Sequence, residues 1–493
     1  GNQDFVLDTT IRNIDDPFDG IASSTSADTA PADYKLAAFE VSCVNCLHFV
    51  PLNFTTTIAP KNLESASSTG SLFVNVFDAG GVGVSGATVR VQNSSVSPAI
   101  DLTDTTNADG ILQLVGVPTS TQDYGIQISK SGYSSEQTYP LGGVGNPTPV
   151  KPDATVAAQT VTNVSFAIDR VSSLAVKTSG NTCSAYSGRD FSIAGAKIIG
   201  TSPDVLKFST SSMTGGDGTK TFSDLEWDTY TLGFNDAGYD VLGTMPFSPL
   251  IINPDSDLDF RFVIRPADPS SLLITVKDAI TGAGITDATV AVSGPGFTGT
   301  ATTGRNTLDF TDWSGGGYAS QSGGLNAESI SGSVTLLANA SGTYSTAGDE
   351  WLISDTIDLG GVTSTLYGLS FDGSMPPSAG PNSLKFQIAA NNDNSTWNFI
   401  GPDGSASTYY TVSGSATAAA LNGKQYVRYK AFLSTSDGAV TPQLNSVSLE
   451  FNSVCVPLYQ AFFSGLANAT YSIDVSAGGY SPNSSSFPVN ANQ

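Results

Sequence analysis

A single histidine, His48, and three methionines stand in a chain of 493 residues, and only 20 side chains are basic. Acid–base or nucleophilic catalysis needs a base held beside a nucleophile or a carboxylate pair in a cleft, and one histidine is a thin basis for it. Carboxylates are plentiful, but they fall mostly in turns such as Asp15-Asp16, Asp255-Ser256-Asp257 and Asp349-Glu350, where they read as solvated turn residues. No apolar run approaches the 18 residues of a membrane-spanning helix, and no charged-then-apolar leader follows Gly1. With 44 acidic residues the net charge is −24, which repels nucleic acid and anionic membranes and favours solubility. Four cysteines are too few for a disulfide scaffold and enough for two pairs in an oxidising compartment.

What the chain does have is glycine, proline, serine and threonine in abundance, with only 13% charged residues. That composition reads as many short strands joined by turns, an all-β protein of several domains. Strand-period alternation recurs along it. Leu72, Val74 and Val76 face one way, and Ala87, Val89 and Val91 alternate with Thr88, Arg90 and Gln92, Leu272, Ile274 and Val276 with Leu273, Thr275 and Lys277, and Ala288, Val290 and Val292 with Thr289, Ala291 and Ser293. Tyr124 and Tyr133, Tyr230 and Tyr239, and Tyr471 and Tyr480 are each nine residues apart, with Gly before the second tyrosine. Three copies of one sandwich follow. The alanine of the second strand precedes the first tyrosine by 37 residues in the first copy (Ala87), by 34 in the second (Ala196) and by 183 in the third (Ala288). The excess predicts a domain inserted into the third copy. The boundaries are 1–66 for an N-terminal β segment, 67–171 and 172–266 for two sandwiches, 267–302 plus 453–493 for a split third, and 303–452 for the insert.

The N-terminal segment differs from the rest. Strands are predicted over 5–14, 34–41 and 52–58, with a turn at 15–20 and a polar loop at 22–32. Three strands are marginal as an independent domain, so the segment needs a neighbour. The stretches TTIRNIDDPFDG (9–20), APADYKLAAFEVS (30–42) and TTTIAPKNLES (55–65) resemble the globular part of prepilin-like, minor-pilin-like surface proteins of candidate-phyla bacteria. In that family an apolar N-terminal helix precedes these strands, and this chain lacks it. The repeated unit is similar to the prealbumin-like, carboxypeptidase-regulatory-like sandwich. Its adhesin relatives close Lys-to-Asn isopeptide bonds, but 72–77 lack the lysine and no glutamate follows the three tyrosines, so no such staple is expected. The insert, through 391–410 and 423–451, resembles a galactose-binding-like jelly roll.

Cys43 and Cys46 flank two residues, a turn spacing that suits a disulfide, which leaves Cys183 and Cys455 to pair across domains. With His48 the first two offer only three zinc ligands. No cofactor is expected; a structural calcium ion in the aspartate-rich loops of the insert is the alternative. Trp351, Trp397, Tyr409 and Tyr410 are candidate glycan-contact aromatics, although core packing is the leading reading for them, with Trp397 as a buried edge-strand anchor. The sequence thus points to an extracellular, non-catalytic filament or adhesion protein of a bacterial cell surface. Its partners would be itself or other pilin-like subunits, with surface glycans or host cells as further targets, and membrane contact only through a segment outside this chain. A carbohydrate-binding module acting through the insert is the alternative.

Overall fold

The computed structural model describes residues 4–17, 21, 32–44, 46, 49–59, 68–268, 270–327 and 332–490. Residues 18–20 of the turn predicted at 15–20, most of the loop at 22–32, and His48 lie outside the described residues. The chain is all-β, with two three-residue 3-10 turns as its only described helices. No described helix is long and apolar enough to cross a membrane.

Alternation decides which side of each strand is buried. In the first sandwich, Gly70–Phe77 sits between Ile111–Val117 and Val161–Ala167, the latter parallel to it. The facing sheet runs Ala154–Val156, Ser120–Ser129, Thr88–Asn93, Ile100–Thr105. Leu72, Val74, Val89, Tyr124 and Ile126 meet between the sheets with no solvent exposure. The second sandwich repeats this plan, with Ser172–Ser179 parallel to Asp257–Pro266 over Asp190–Gly195 and Asp228–Phe234.

Leu272–Thr275 pairs with Gln460–Phe463, and Thr289–Gly294 pairs with Ala469–Ser476. These partners are far apart in sequence, and residues 306–452 form two sheets of their own between them. Tyr471 packs so closely over this sheet that a Cβ on Gly294 would lie 2.5 Å from its ring, so no larger residue fits there. The inserted sandwich has the largest core, including Trp313, whose indole N–H donates to the buried Tyr429 hydroxyl at 2.8 Å.

A buried threonine ties each repeat together. Thr106 accepts from the Ala87 amide and donates to the Val84 carbonyl. Thr303 does the same for Ala288 and Ile285. In the second repeat the amide that donates to such a threonine, Thr214, is that of Arg189 rather than Ala196. The alignment on Ala196 is therefore corrected: Gly195 ends the second strand, whereas Gly86 precedes its counterpart.

Candidate interaction surfaces

The N-terminal sheet has the order Asp4–Ile14, Tyr34–Val44, Leu52–Ile58, antiparallel throughout. Register gathers large apolar side chains on one face, which carries Phe5, Leu7, Ile11, Phe39, Val41, Leu52, Phe54 and Ile58 among Thr9, Asn13, Lys35 and Thr56, whereas the other mixes Asp8, Glu40, Thr10, Asn53 and Thr55 with Val6, Leu36 and Val44. Half-buried sheets put their apolar face inside, yet here Phe5 is 56%, Leu7 61%, Phe54 56% and Ile58 53% exposed. Among the described residues, side-chain attachment to the first sandwich is at one end. Arg12 pairs with Asp104 at 3.0 Å, and the Asn13 amide donates to the Val115 carbonyl at 2.7 Å. Cys43 and Cys46 are joined by a disulfide, which consumes both thiolates that a zinc site would need.

Between the first two sandwiches, Lys207 reaches across to Glu136 and also pairs with Glu226 of its own domain at 2.5 Å, while Lys197 holds Glu226 at 2.6 Å. Backbone bonds reinforce this junction, from Val150 to Ile199 and from Thr201 to Thr148, each 2.9 Å. Burial pushes the Lys207 ammonium down, but its bonds to the two glutamates more than reverse that and leave its pKa raised. At the next junction Cys183 of the second sandwich is disulfide-bonded to Cys455, which follows the last strand of the insert. Beside it, the Gln460 side chain accepts from the Thr244 amide at 2.7 Å and donates to Thr275 at 3.0 Å.

The third surface is the outer face of the insert's sheet around Tyr426–Leu433. Val427, Tyr429, Ala431 and Leu433 point inward, so Arg428, Lys430 and Phe432 share the other side. Trp351 and Lys385 flank Phe432 from the two neighbouring strands. The Lys430 ammonium lies 4.4 Å from the Trp351 ring centre and 4.9 Å from that of Phe432. The Arg428 guanidinium lies 4.5 Å from Trp397, and the Lys385 ammonium 4.5 Å from Tyr409.

Of the four aromatics singled out in the sequence, Trp351, Trp397 and Tyr409 are brought to this one face, half-buried. Tyr410 is not; it is 1% exposed in the core, and its hydroxyl accepts from the Ala418 amide. Trp351 and Trp397 are corrected in the opposite sense, since neither is a core anchor and Trp397 lies in no strand. Core tryptophan packing falls to Trp313. Arg428, Lys430 and Lys385 went unnoticed as site residues, though the alternation that buries Tyr429 also aims Arg428 and Lys430 outward. Among the described residues, no group of three or more His, Cys, Asp or Glu side chains is placed to hold a metal ion.

No protein family matches this chain, and neither does any curated protein. Similar solved structures include the Bacillus anthracis TIE protein, at 12% identity and a TM-score of 0.18, over 62% of this chain and 62% of that protein. A streptococcal ancillary pilin is similar at 13% identity and a TM-score of 0.19, over 47% of this chain and 76% of that one. A minor pilin of Streptococcus agalactiae is similar at 12% identity and a TM-score of 0.18, over 41% of this chain and all of that one. At these TM-scores the likeness carries no argument, and the all-β assignment rests on the strand pairing itself.

Proposed function

We propose that this chain is a structural subunit of an extracellular bacterial surface assembly, a filament or adhesin, that projects its sandwiches from the N-terminal sheet. The observation that carries the reading is the open apolar face of that sheet. Three strands of this length present on the order of 400–500 Å² on one side, as large as the largest apolar patches that monomers usually leave exposed. Patches of this size are often interaction sites, and the occupant proposed is another subunit of the same assembly. The long outer edge of Asp4–Ile14, unpaired on one side among the described residues, offers the same subunit a row of backbone hydrogen bonds. Two disulfides suit an oxidising, extracellular setting. The prepilin resemblance of 9–65 falls on this same segment.

The test is a pair of substitutions, Leu7→Asp and Phe54→Asp, with electron microscopy of the native cell surface. Both side chains are exposed, so the monomer's fold is expected to survive while the protein is lost from surface assemblies. A variant that assembles like the wild type would sink the proposal.

A further inference from the structure

The solvent side of an antiparallel sandwich is ordinarily polar, yet the outer face around Tyr426–Leu433 is paved with rings. Trp351, Phe432 and Lys385 stand in one row across three strands, and Lys430 and Arg428 follow below on the middle strand. Tyr409 meets Phe432 edge to face at 5.2 Å, and Phe399 closes on Lys430 at 5.8 Å.

Charge is the second observation. In a chain of net charge −24, three cations share this face. Lys385 is compensated by Asp349 at 2.8 Å. Arg428 bonds to the neutral Thr356 hydroxyl, at 2.8 and 2.9 Å, and lies against Trp397, with no carboxylate paired to it among the described residues. Among the described residues no carboxylate faces Lys430, and burial against the rings lowers its pKa. Two cations lacking counter-charges sit two residues apart on one strand, about 6.5–7 Å from each other. A half-buried ammonium without an anion is costly, so the face is complementary to a ligand that brings one.

Carboxylates alone would not use the rings, and a neutral sugar would not use the cations. We propose that this face binds an anionic polysaccharide, with Trp351 and Trp397 stacking on pyranose rings and Lys430 and Arg428 receiving their carboxylates. This deepens the adhesive half of the function proposed above and rests on it only for the protein's place outside the cell. An acidic segment of a second copy fits less well, because it offers no rings to stack.

The full chain would be titrated calorimetrically with polygalacturonate, with its fully methyl-esterified form and with polyglutamate. Binding to polygalacturonate is expected, falling with salt, and weakened at least about tenfold by Lys430→Gln with Arg428→Gln and again by Trp351→Ala. Unchanged thermal melting of these variants separates lost binding from lost fold. Equal binding of the esterified polymer, or of polyglutamate, overturns the proposal. So does failure to bind polygalacturonate, alginate and hyaluronan alike. None of these results touches the assembly test on Leu7 and Phe54, so failure of one reading is distinguishable from failure of the other.

Discussion

The Tyr471 hydroxyl closes on both backbone groups of Ala467, accepting from its amide at 3.0 Å and donating to its carbonyl at 3.2 Å. Its counterparts do the same job with one bond each. Tyr124 donates to the Pro118 carbonyl at 2.6 Å and Tyr230 to the Glu226 carbonyl at 2.9 Å. Each ring is buried in a central strand while its hydroxyl pins the corner that leads into it, as in the tyrosine corner of immunoglobulin-like sandwiches.

Replacing Tyr471 with Phe keeps the ring and deletes both bonds, so it should cost about 1–2 kcal/mol. The effect should be localised. Hydrogen exchange is expected to rise in Leu272–Thr275 and Ala469–Ser476, with the insert unaffected. Uniform destabilisation of all domains would refute this assignment.

Lys207 should lock the first two sandwiches together. Lys207→Met removes the ammonium that bridges Glu136 and Glu226, 18% and 13% exposed, and leaves Glu136 to Lys151 at 3.9 Å and Glu226 to Lys197 at 2.6 Å. A loss of about 1–3 kcal/mol at the junction is expected, read as an increased radius of gyration in small-angle scattering. The pH dependence follows from the raised pKa of Lys207. A cation stabilised by folding contributes fully below its unfolded pKa of about 10.4 and loses that contribution as pH rises through the folded value. The junction should therefore hold across the neutral range and loosen in strong alkali, and loosening between pH 7 and 9 would contradict the network.

How much of this was legible differs from segment to segment. Alternation placed Leu72, Val74, Ala288 and Val292 on buried faces because a half-buried strand has a period of two that survives any context. The same rule misled at Ala196. Gly195-Ala196-Lys197-Ile198 reads like Gly86-Ala87-Thr88-Val89, but pairing with Asp228–Phe234 ends the strand at Gly195. The cation and ring face was illegible for a related reason. Each residue's side of its strand can be read from the sequence, whereas the row formed by Trp351, Phe432 and Lys385 depends on register between segments more than thirty residues apart. The three N-terminal strands were readable, and what covers them is not encoded in their own pattern.

The Cys183–Cys455 bond should make most of the chain blind to force. It spans 272 residues, so tension applied at the two termini passes through the crosslink instead of through the second sandwich's later strands or the insert. Single-molecule pulling of the oxidised protein should stop short. Adding a reductant, or substituting Cys183→Ser with Cys455→Ser, should release a further ~900–1,000 Å of extension at ~3.3–3.6 Å per residue. Equal extension with and without the bond would rule out this load path.

The insert and its host should differ sharply in independence. Asn306 lies opposite Phe451 across an antiparallel pair, so the insert begins and ends about 5 Å apart. A short linker in place of 306–451, with both Cys183 and Cys455 changed to Ser, therefore closes the host at little entropic expense. The host core rests on ten buried side chains among the described residues, against a cluster of 26 built on the insert and Val456, so the two halves should not be equally stable. A separate 304–456 fragment is expected to unfold cooperatively near the melting point of the insert in the full chain. The host sandwich without it should keep its near-ultraviolet tyrosine signal but melt well below the intact protein, because small cores leave little margin. A fragment that is unfolded alone, or a host that loses all protection in Ala469–Ser476, would show that insert and host fold only as one unit.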